Sequence, residues 1–214
     1  MENDEISSTD AVRAMYDAEA ESYSRMMDSE MERPMYADTL GRLKTRIEGL
    51  TGSIVDAPCG SGHLLSMYHE KYDKERALYG IDLSPSMVAI AAERLGPAAE
   101  VEVGDIRKLG TVMSNSAAAV VCHFALHHLN VDEVKAALVE WHRVLQMGGQ
   151  LVIGAWEGEG AIDYGEDSDI VAINHGADTL TAMIRESGFS ISRNVVEMDD
   201  EMMMNAIYID ATRE

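Results

Sequence analysis

Three short stretches pair glycine with a carboxylate in a way that could hold a ligand. The first is Asp56-Ala57-Pro58-Cys59-Gly60-Ser61-Gly62. Glycines at 60 and 62 allow a tight turn and a close backbone approach that a Cβ would block. A helix starting just beyond would offer free N–H groups to an anion. Twenty residues after Gly62, the run Gly80-Ile81-Asp82-Leu83-Ser84 places a carboxylate where a ribose diol could be held by charge-assisted hydrogen bonds. The third is Gly104-Asp105-Ile106. There a carboxylate can accept from an exocyclic amine while a neighbouring backbone N–H serves the adjacent ring nitrogen. Each stretch also has a plain structural reading, as a βα turn, a helix N-cap and a turn aspartate respectively.

Other residue types invite chemistry more weakly. His123, His127 and His128 could supply a general base, because imidazole titrates near neutral pH. No Cys, Asp or Glu stands beside them at ligand spacing, so no metal site is expected. Cys59 and Cys122 lie far apart in sequence, which implies no disulfide framework and a reducing, cytoplasmic setting. Tyr16-Asp17 and Tyr23 fall seven residues apart on one helical face, as packing residues or as part of a lid. Met202-Met203-Met204 reads as hairpin packing.

The elements that must position these residues follow from hydrophobic period. Helices are expected over 10–27 and 36–47, the second preceded by the breaker Glu32-Arg33-Pro34. Strands over 53–56, 77–81, 101–103, 117–122 and 150–155 then alternate with helices, including 85–95 with Ser84 as N-cap and 131–145. That alternation predicts an open, doubly wound, mostly parallel sheet. A helix over 179–187 precedes two strands, 189–196 and 203–209, joined by a short acidic turn. The predicted architecture is therefore Rossmann-like and seven-stranded, with an antiparallel C-terminal hairpin. Residues 1–49 would form a helical lid and 50–214 the main domain, with 157–175 an irregular loop over one end of the sheet.

A chain of 214 residues fits one domain. Its 38 acidic residues against 17 basic ones give a net charge of −21, which disfavours nucleic acid as a partner. A salt-rich environment or plain solubility would each account for that charge. The start, Met1-Glu2-Asn3-Asp4-Glu5, has no apolar core, so no leader is expected. No membrane association is expected either.

Ile54 through Gly62 resembles the first motif of class I S-adenosylmethionine-dependent methyltransferases, with Pro58 where glycine is commoner. The segments Gly80–Met87, Gly104-Asp105-Ile106, Val121–Leu129 and Arg143–Gly149 are similar to that family's later motifs in the same order, with Gln146-Met147 where Lys-Pro is usual. The resemblance points to the small-molecule branch. It implies S-adenosylmethionine as cofactor and a small O, N, S or C nucleophile as methyl acceptor. It implies that Asp56, Ala57, Gly60 and Gly62 surround the methionyl end, and that Asp82 takes the ribose hydroxyls. Leu83 and Met87 would pack on adenine, Gly104, Asp105 and Ile106 would read its edge, and His123 and Phe124 would border the reacting end. Tyr16 and Tyr23 match a Tyr-Asp lead-in, and His127 and His123 are the candidate base or acceptor-positioning groups.

Two other readings lose ground on sequence. A nicotinamide fingerprint would need glycine where Leu65 stands. A cysteine-nucleophile RNA enzyme carries its Asp-Ala-Pro-Cys on the fourth strand, not the first. A cofactor-binding protein without catalysis remains the alternative, because function lives in sites rather than folds.

Overall fold

In the computed structural model, residues 6–162, 164, 169–200 and 202–214 are described. The acidic start of the chain, part of the 157–175 loop and Glu201 of the acidic turn lie outside the described residues. Two helices lead, α1 (Thr9–Glu30) and α2 (Pro34–Arg46). The alternating part follows as β1 (Ser53–Asp56), α3 (His63–Lys71), β2 (Leu78–Asp82), α4 (Pro85–Leu95), β3 (Glu100–Val103), β4 (Ala117–His123), α5 (Val131–Val144) and β5 (Leu145–Glu157). The chain ends with short strands β6 (Ala161–Ile162) and β7 (Ala172–Ile173), then α6 (Ala177–Glu186), β8 (Phe189–Asp199) and β9 (Met204–Arg213).

Seven strands form one sheet in the order β3-β2-β1-β4-β5-β9-β8. The first five are parallel, and β9 pairs antiparallel with both β5 and β8. β1 and β4 are buried along almost their whole length. Their near-continuous Ile, Val and Ala runs suit strands covered on both faces. One face carries Val134, Leu138 and Trp141 of α5 with Leu180 and Ile184 of α6. The other carries Leu40 and Leu43 of α2, Leu65 and Tyr68 of α3 and Ala91 of α4. The result is a three-layer sandwich.

Local chemistry sets the helix starts. Ser84 Oγ accepts the Met87 N–H at 3.1 Å. Asn130 and Glu133 exchange backbone and side-chain hydrogen bonds in a capping box at α5. Sheet order reverses between β1 and β4, each running outward from the same point, so a crevice opens at their carboxyl ends.

Two expectations need correction. The 157–175 stretch is not wholly irregular, since Ala161 and Ile162 pair antiparallel with Ile173 and Ala172. Met202 and Met203 do not pack in the hairpin but stand 55% and 78% exposed, because the turn carries them beyond the sheet. Among the described residues, no helix is long and apolar enough to cross a membrane.

The approach to β1 is tight. Gly52 has φ +112, and a Cβ there would lie 2.2 Å from the Ser116 carbonyl oxygen. We expect Gly52→Ala to destabilise the fold by well over ~1 kcal/mol, because both the dihedral and the space exclude it. Urea denaturation followed by circular dichroism measures this.

Candidate active site

The crevice is a cavity of about 1110 Å³, part of it open to solvent, walled by the carboxyl ends of β1, β2 and β4 and roofed by α1 and the start of α2. Its walls are mostly apolar with a few convergent polar groups, the usual make-up of a small-molecule site.

The turn after β1 divides its residues between structure and cavity. The Ala57 N–H donates to the Val121 carbonyl at 2.9 Å, which extends the β1–β4 ladder, and Ala57 does not line the cavity. Gly62 does not line it either. Its N–H donates to the Cys59 carbonyl, its φ is +81, and a Cβ would meet Ala91 of α4 at 3.1 Å. Gly62 is therefore glycine for helix packing. Gly60, φ +51, does face the cavity, with the Tyr23 ring 3.5 Å from where its Cβ would be. Cys59 also borders it, and burial, then the Asp56 and Asp82 carboxylates, push its thiol well up. It stays protonated and is no nucleophile at neutral pH.

Two carboxylates enter the cavity from adjacent strand ends. Asp82 accepts from the Gly60 N–H at 2.8 Å and from the Ser84 N–H at 2.9 Å. Burial raises its pKa, and those backbone donors partly offset the rise. Asp56 is 2% exposed, and no donor reaches its carboxylate among the described residues. Burial first, then the Asp82 charge, push its pKa well above the usual range. A pair like this is costly unless a cation or donor arrives to share it.

At the turn after β3, Asp105 is already engaged. The Arg107 guanidinium and backbone N–H both donate to it, the latter at 2.8 Å. Burial acts to raise the Asp105 pKa, yet those bonds hold it below its usual value. Arg107 also reaches Glu133 and, at 2.8 Å, Thr9 Oγ1 at the start of α1. Ile106 lines the cavity and its carbonyl accepts from Trp141 Nε1 at 2.9 Å, which anchors the turn to α5. Gly104 is not in the wall; a Cβ there would lie 2.8 Å from Ile81. Leu83 and Met87 line the space between Asp82 and Asp105.

Tyr16 and Tyr23 both enter from α1, their rings edge-to-face at 6.1 Å. Burial, then Asp82 and Asp56, raise the Tyr23 hydroxyl to about 12. Sequence reasoning missed how α1 is fixed. Asp17 accepts from Ser84 Oγ at 2.5 Å and from the Ser86 N–H at 3.0 Å, so it caps α4 from another helix. Further along, Asp28 pairs with His63 Nε2 at 2.8 Å and with Arg94, while Arg94 Nε donates to the Ser61 carbonyl at 3.0 Å. These bonds span 33 or more residues, so no local pattern announces them.

Of the three histidines, His123 and His128 line the cavity and His127 does not. The three-residue 3-10 turn Leu126–His128 directs the two neighbours differently. His128 Nε2 hydrogen-bonds the Tyr16 hydroxyl at 3.0 Å, and His127 lies behind it with ring centroids 4.1 Å apart. Burial lowers His123 and His128 to about 4, so both are neutral near pH 7. Neither ring nitrogen of His123 has a partner. Phe124, beside it, holds φ +51, a conformation that costs energy for a non-glycine residue and clusters at functional sites.

A doubly wound sheet takes its ligands in a crevice of this kind, and the comparisons with known proteins add to that reading. Residues 54–149 match the family described as a methyltransferase domain. Uncharacterised methyltransferases of Bacillus mycoides and Bacillus cereus are each 26% identical over 140 residues. The match covers 64% of this chain and 64% of theirs, so the chain spans about two-thirds or less of those relatives.

Among solved structures, the 1,6-didemethyltoxoflavin-N1-methyltransferase of Burkholderia thailandensis has bound S-adenosylhomocysteine. It aligns with TM-score 0.74 and 17% identity, over 95% of this chain and 87% of that one. Magnesium protoporphyrin IX methyltransferase of Synechocystis, with its cofactor bound, aligns at 0.73 and 18%, over 99% and 100%. The cyclase SpnF aligns at 0.64 and 17%, over 82% and 80%. The fold is thus shared by proteins with different reactions, and the site must carry the functional argument.

Two outcomes test the geometry. Ser84→Ala removes the α4 cap and the donor to Asp17, so stability should drop by about 1–2 kcal/mol and hydrogen exchange around Asp17 should quicken. The second concerns pH. A histidine at about 4 when folded and near 6.5 when unfolded takes up protons on unfolding between those values. Stability from His128 is therefore complete above about pH 6.5 and lost as pH falls toward 4, with a slope of at most about 1.4 kcal/mol per unit. The buried carboxylates slope the opposite way, so the measurement is a difference. Denaturation of wild type and His128→Asn at pH 7 and pH 4.5 should show the variant's curve flatter by that amount.

Proposed function

We propose that this protein transfers a methyl group from S-adenosylmethionine to a small-molecule acceptor inside the cavity. The observation that carries the reading is the pair of buried carboxylates, Asp56 and Asp82, at adjoining strand ends beside the Gly60 turn. Among the described residues no donor reaches Asp56, and Asp82 is held by backbone N–H groups alone. That donor set fits a ligand with a cationic centre, an amine and a ribose diol. When bound, S-adenosylmethionine supplies an electrophilic methyl group on a sulfonium.

The chain's own residues do the rest by binding, alignment and exclusion of water. Asp82 accepts from the ribose hydroxyls, and Asp56 faces the amino end. Leu83, Met87 and Ile106 enclose the adenine, and Asp105 accepts from its amino group beside Arg107. Tyr16 and Tyr23 close the space from α1, which acts as a lid over a main domain of residues 50–214. His123, neutral near pH 7 with both ring nitrogens unpartnered, is positioned in this wall to accept a proton or hydrogen bond from the acceptor.

Asp82→Ala should weaken S-adenosylhomocysteine binding by about 1.5–3 kcal/mol, roughly 10- to 150-fold, the range for hydrogen bonds to a charged group. Tyr23→Phe should cost less, since it keeps the ring on Gly60. Calorimetry measures both. Unchanged affinity in Asp82→Ala removes the assignment. S-adenosylhomocysteine release on incubation with S-adenosylmethionine and a metabolite panel tests the transfer itself.

A further inference from the structure

The cavity has a second half beyond the carboxylate pair, and its chemistry is different. Met27 and Met31 come from the end of α1, Tyr36 from α2, and His123 and Phe124 from the end of β4. Two of these rings sit against the imidazole, with centroid distances of 6.2 Å for Tyr36 and 6.0 Å for Phe124. Phe124 is backed in turn by Trp156 at 4.6 Å. Gly154 lies opposite His123 in the ladder, and a Cβ there would be 3.4 Å from the imidazole, so glycine leaves room for this ring.

The charge inventory of this second half offers nothing to an anionic acceptor. Among the described residues, the one guanidinium bordering the cavity is Arg107, at the Asp105 end and engaged by both Asp105 and Glu133. The bordering histidines are all held below their usual pKa, chiefly by burial. The positions outside the described residues, 1–5, 163, 165–168 and 201, contain no Lys, Arg or His. A phosphate or carboxylate on the acceptor would meet no countercharge here and would sit near two buried carboxylates. Burial of an unpaired anion is among the costliest events in a protein interior.

The second half also has no acidic side chain in its wall to hold a cation. Its one unpaired polar group is His123, with both ring nitrogens unpartnered. A buried polar group without a partner costs about 1–3 kcal/mol, so a ligand that supplies one hydroxyl or ring N–H relieves a standing penalty. Aromatic and thioether walls favour flat rings through offset and edge contacts.

We infer that the methyl acceptor is an uncharged aromatic or heteroaromatic ring bearing a hydroxyl or ring N–H, held flat between Met31, Tyr36 and Phe124 with that group on His123. This rests on the methyltransferase reading for the word acceptor, while the binding chemistry stands on the walls alone.

Calorimetry tests the two separately. S-adenosylhomocysteine is titrated first; its failure to bind removes the methyltransferase reading without touching the second half. Three probes of one shape are then titrated into the protein, with and without S-adenosylhomocysteine: 2-naphthol, 2-naphthyl phosphate and naphthalene. We expect 2-naphthol to bind at least about tenfold tighter than either of the others. In His123→Phe, and separately in His123→Gln, the preference over naphthalene should change, lost in the first and kept in part in the second, while the preference over the phosphate persists. The inference is overturned if the phosphate binds as tightly as the phenol or if none of the probes binds. It is also overturned if His123→Phe discriminates phenol from naphthalene as wild type does. The charge comparison needs wild type only, so it stands even where a variant fails to fold.

Discussion

Asp82 ends the second strand in a buried position, and a carboxylate there has to be held or it will not stay charged. It is held by the N–H of Gly60 from the first turn and the N–H of Ser84 from its own. Those two bonds join the loops that follow β1 and β2 into one surface. Ser84 extends the same chain of contacts, since its hydroxyl caps α4 and donates to Asp17 on α1. One acidic side chain thus couples both glycine turns, the helix beyond and the helix that covers the site. Beside it, Asp56 has no donor among the described residues, so the arrangement there is only half satisfied. Proteins keep such deficits where a ligand meets them.

The roof over that deficit is built from polar latches as well as apolar contact. Asp17 at Ser84, Asp28 at His63 and Arg94, and Thr9 at Arg107 fix α1 at three heights along its length. The apolar face between them is modest, with Val12 and Ala20 fully buried and Tyr16 and Tyr23 turned to the cavity. A helix attached largely by hydroxyl hydrogen bonds and the half-exposed Asp28–Arg94 pair opens at lower cost than one held by a large apolar face. That is the property an element needs if a ligand must pass beneath it.

The parts legible in the sequence share one physical feature, which is locality. Alternating buried strands, the Ser84 cap, the glycine turns and the spacing from Gly62 to Asp82 are fixed by neighbours a few residues away, and the architecture follows from them. The antiparallel ending was legible as a hairpin. That β9 rather than β8 lies against β5 was not, since both strands carry similar patterns and only packing decides between them. His127 and His128 differ by one position, and a single 3-10 turn determines which of them faces the cavity. Gly62 and Gly104 read as ligand contacts, but here glycine answers to Ala91 and Ile81, side chains brought in from other elements. Asp28 and Arg94 carried no local signal at all, and Asp17 stood out only beside Tyr16, with nothing to announce its bond to Ser84.

The same contrast runs through the cavity itself. Its carboxylate half is assembled from the ends of consecutive strands and their following turns, so a short run of sequence contains both the residue and the geometry that aims it. Its other half collects Met31, Tyr36, His123 and Phe124 from the end of the roof and the tip of β4, segments separated by 87 residues between Tyr36 and His123. Motifs therefore report the part of the site that the alternating strands and their turns build locally. What distinguishes this chain is set where α1, α2 and β4 converge, with φ +51 at Phe124 and a glycine at 154 making space for an imidazole that has no partner. Neighbours as different as a methyltransferase and a cyclase share the fold. The second half is where selectivity is decided, because it is the part whose walls, charge and unpaired nitrogens select what can lie beside the carboxylate pair.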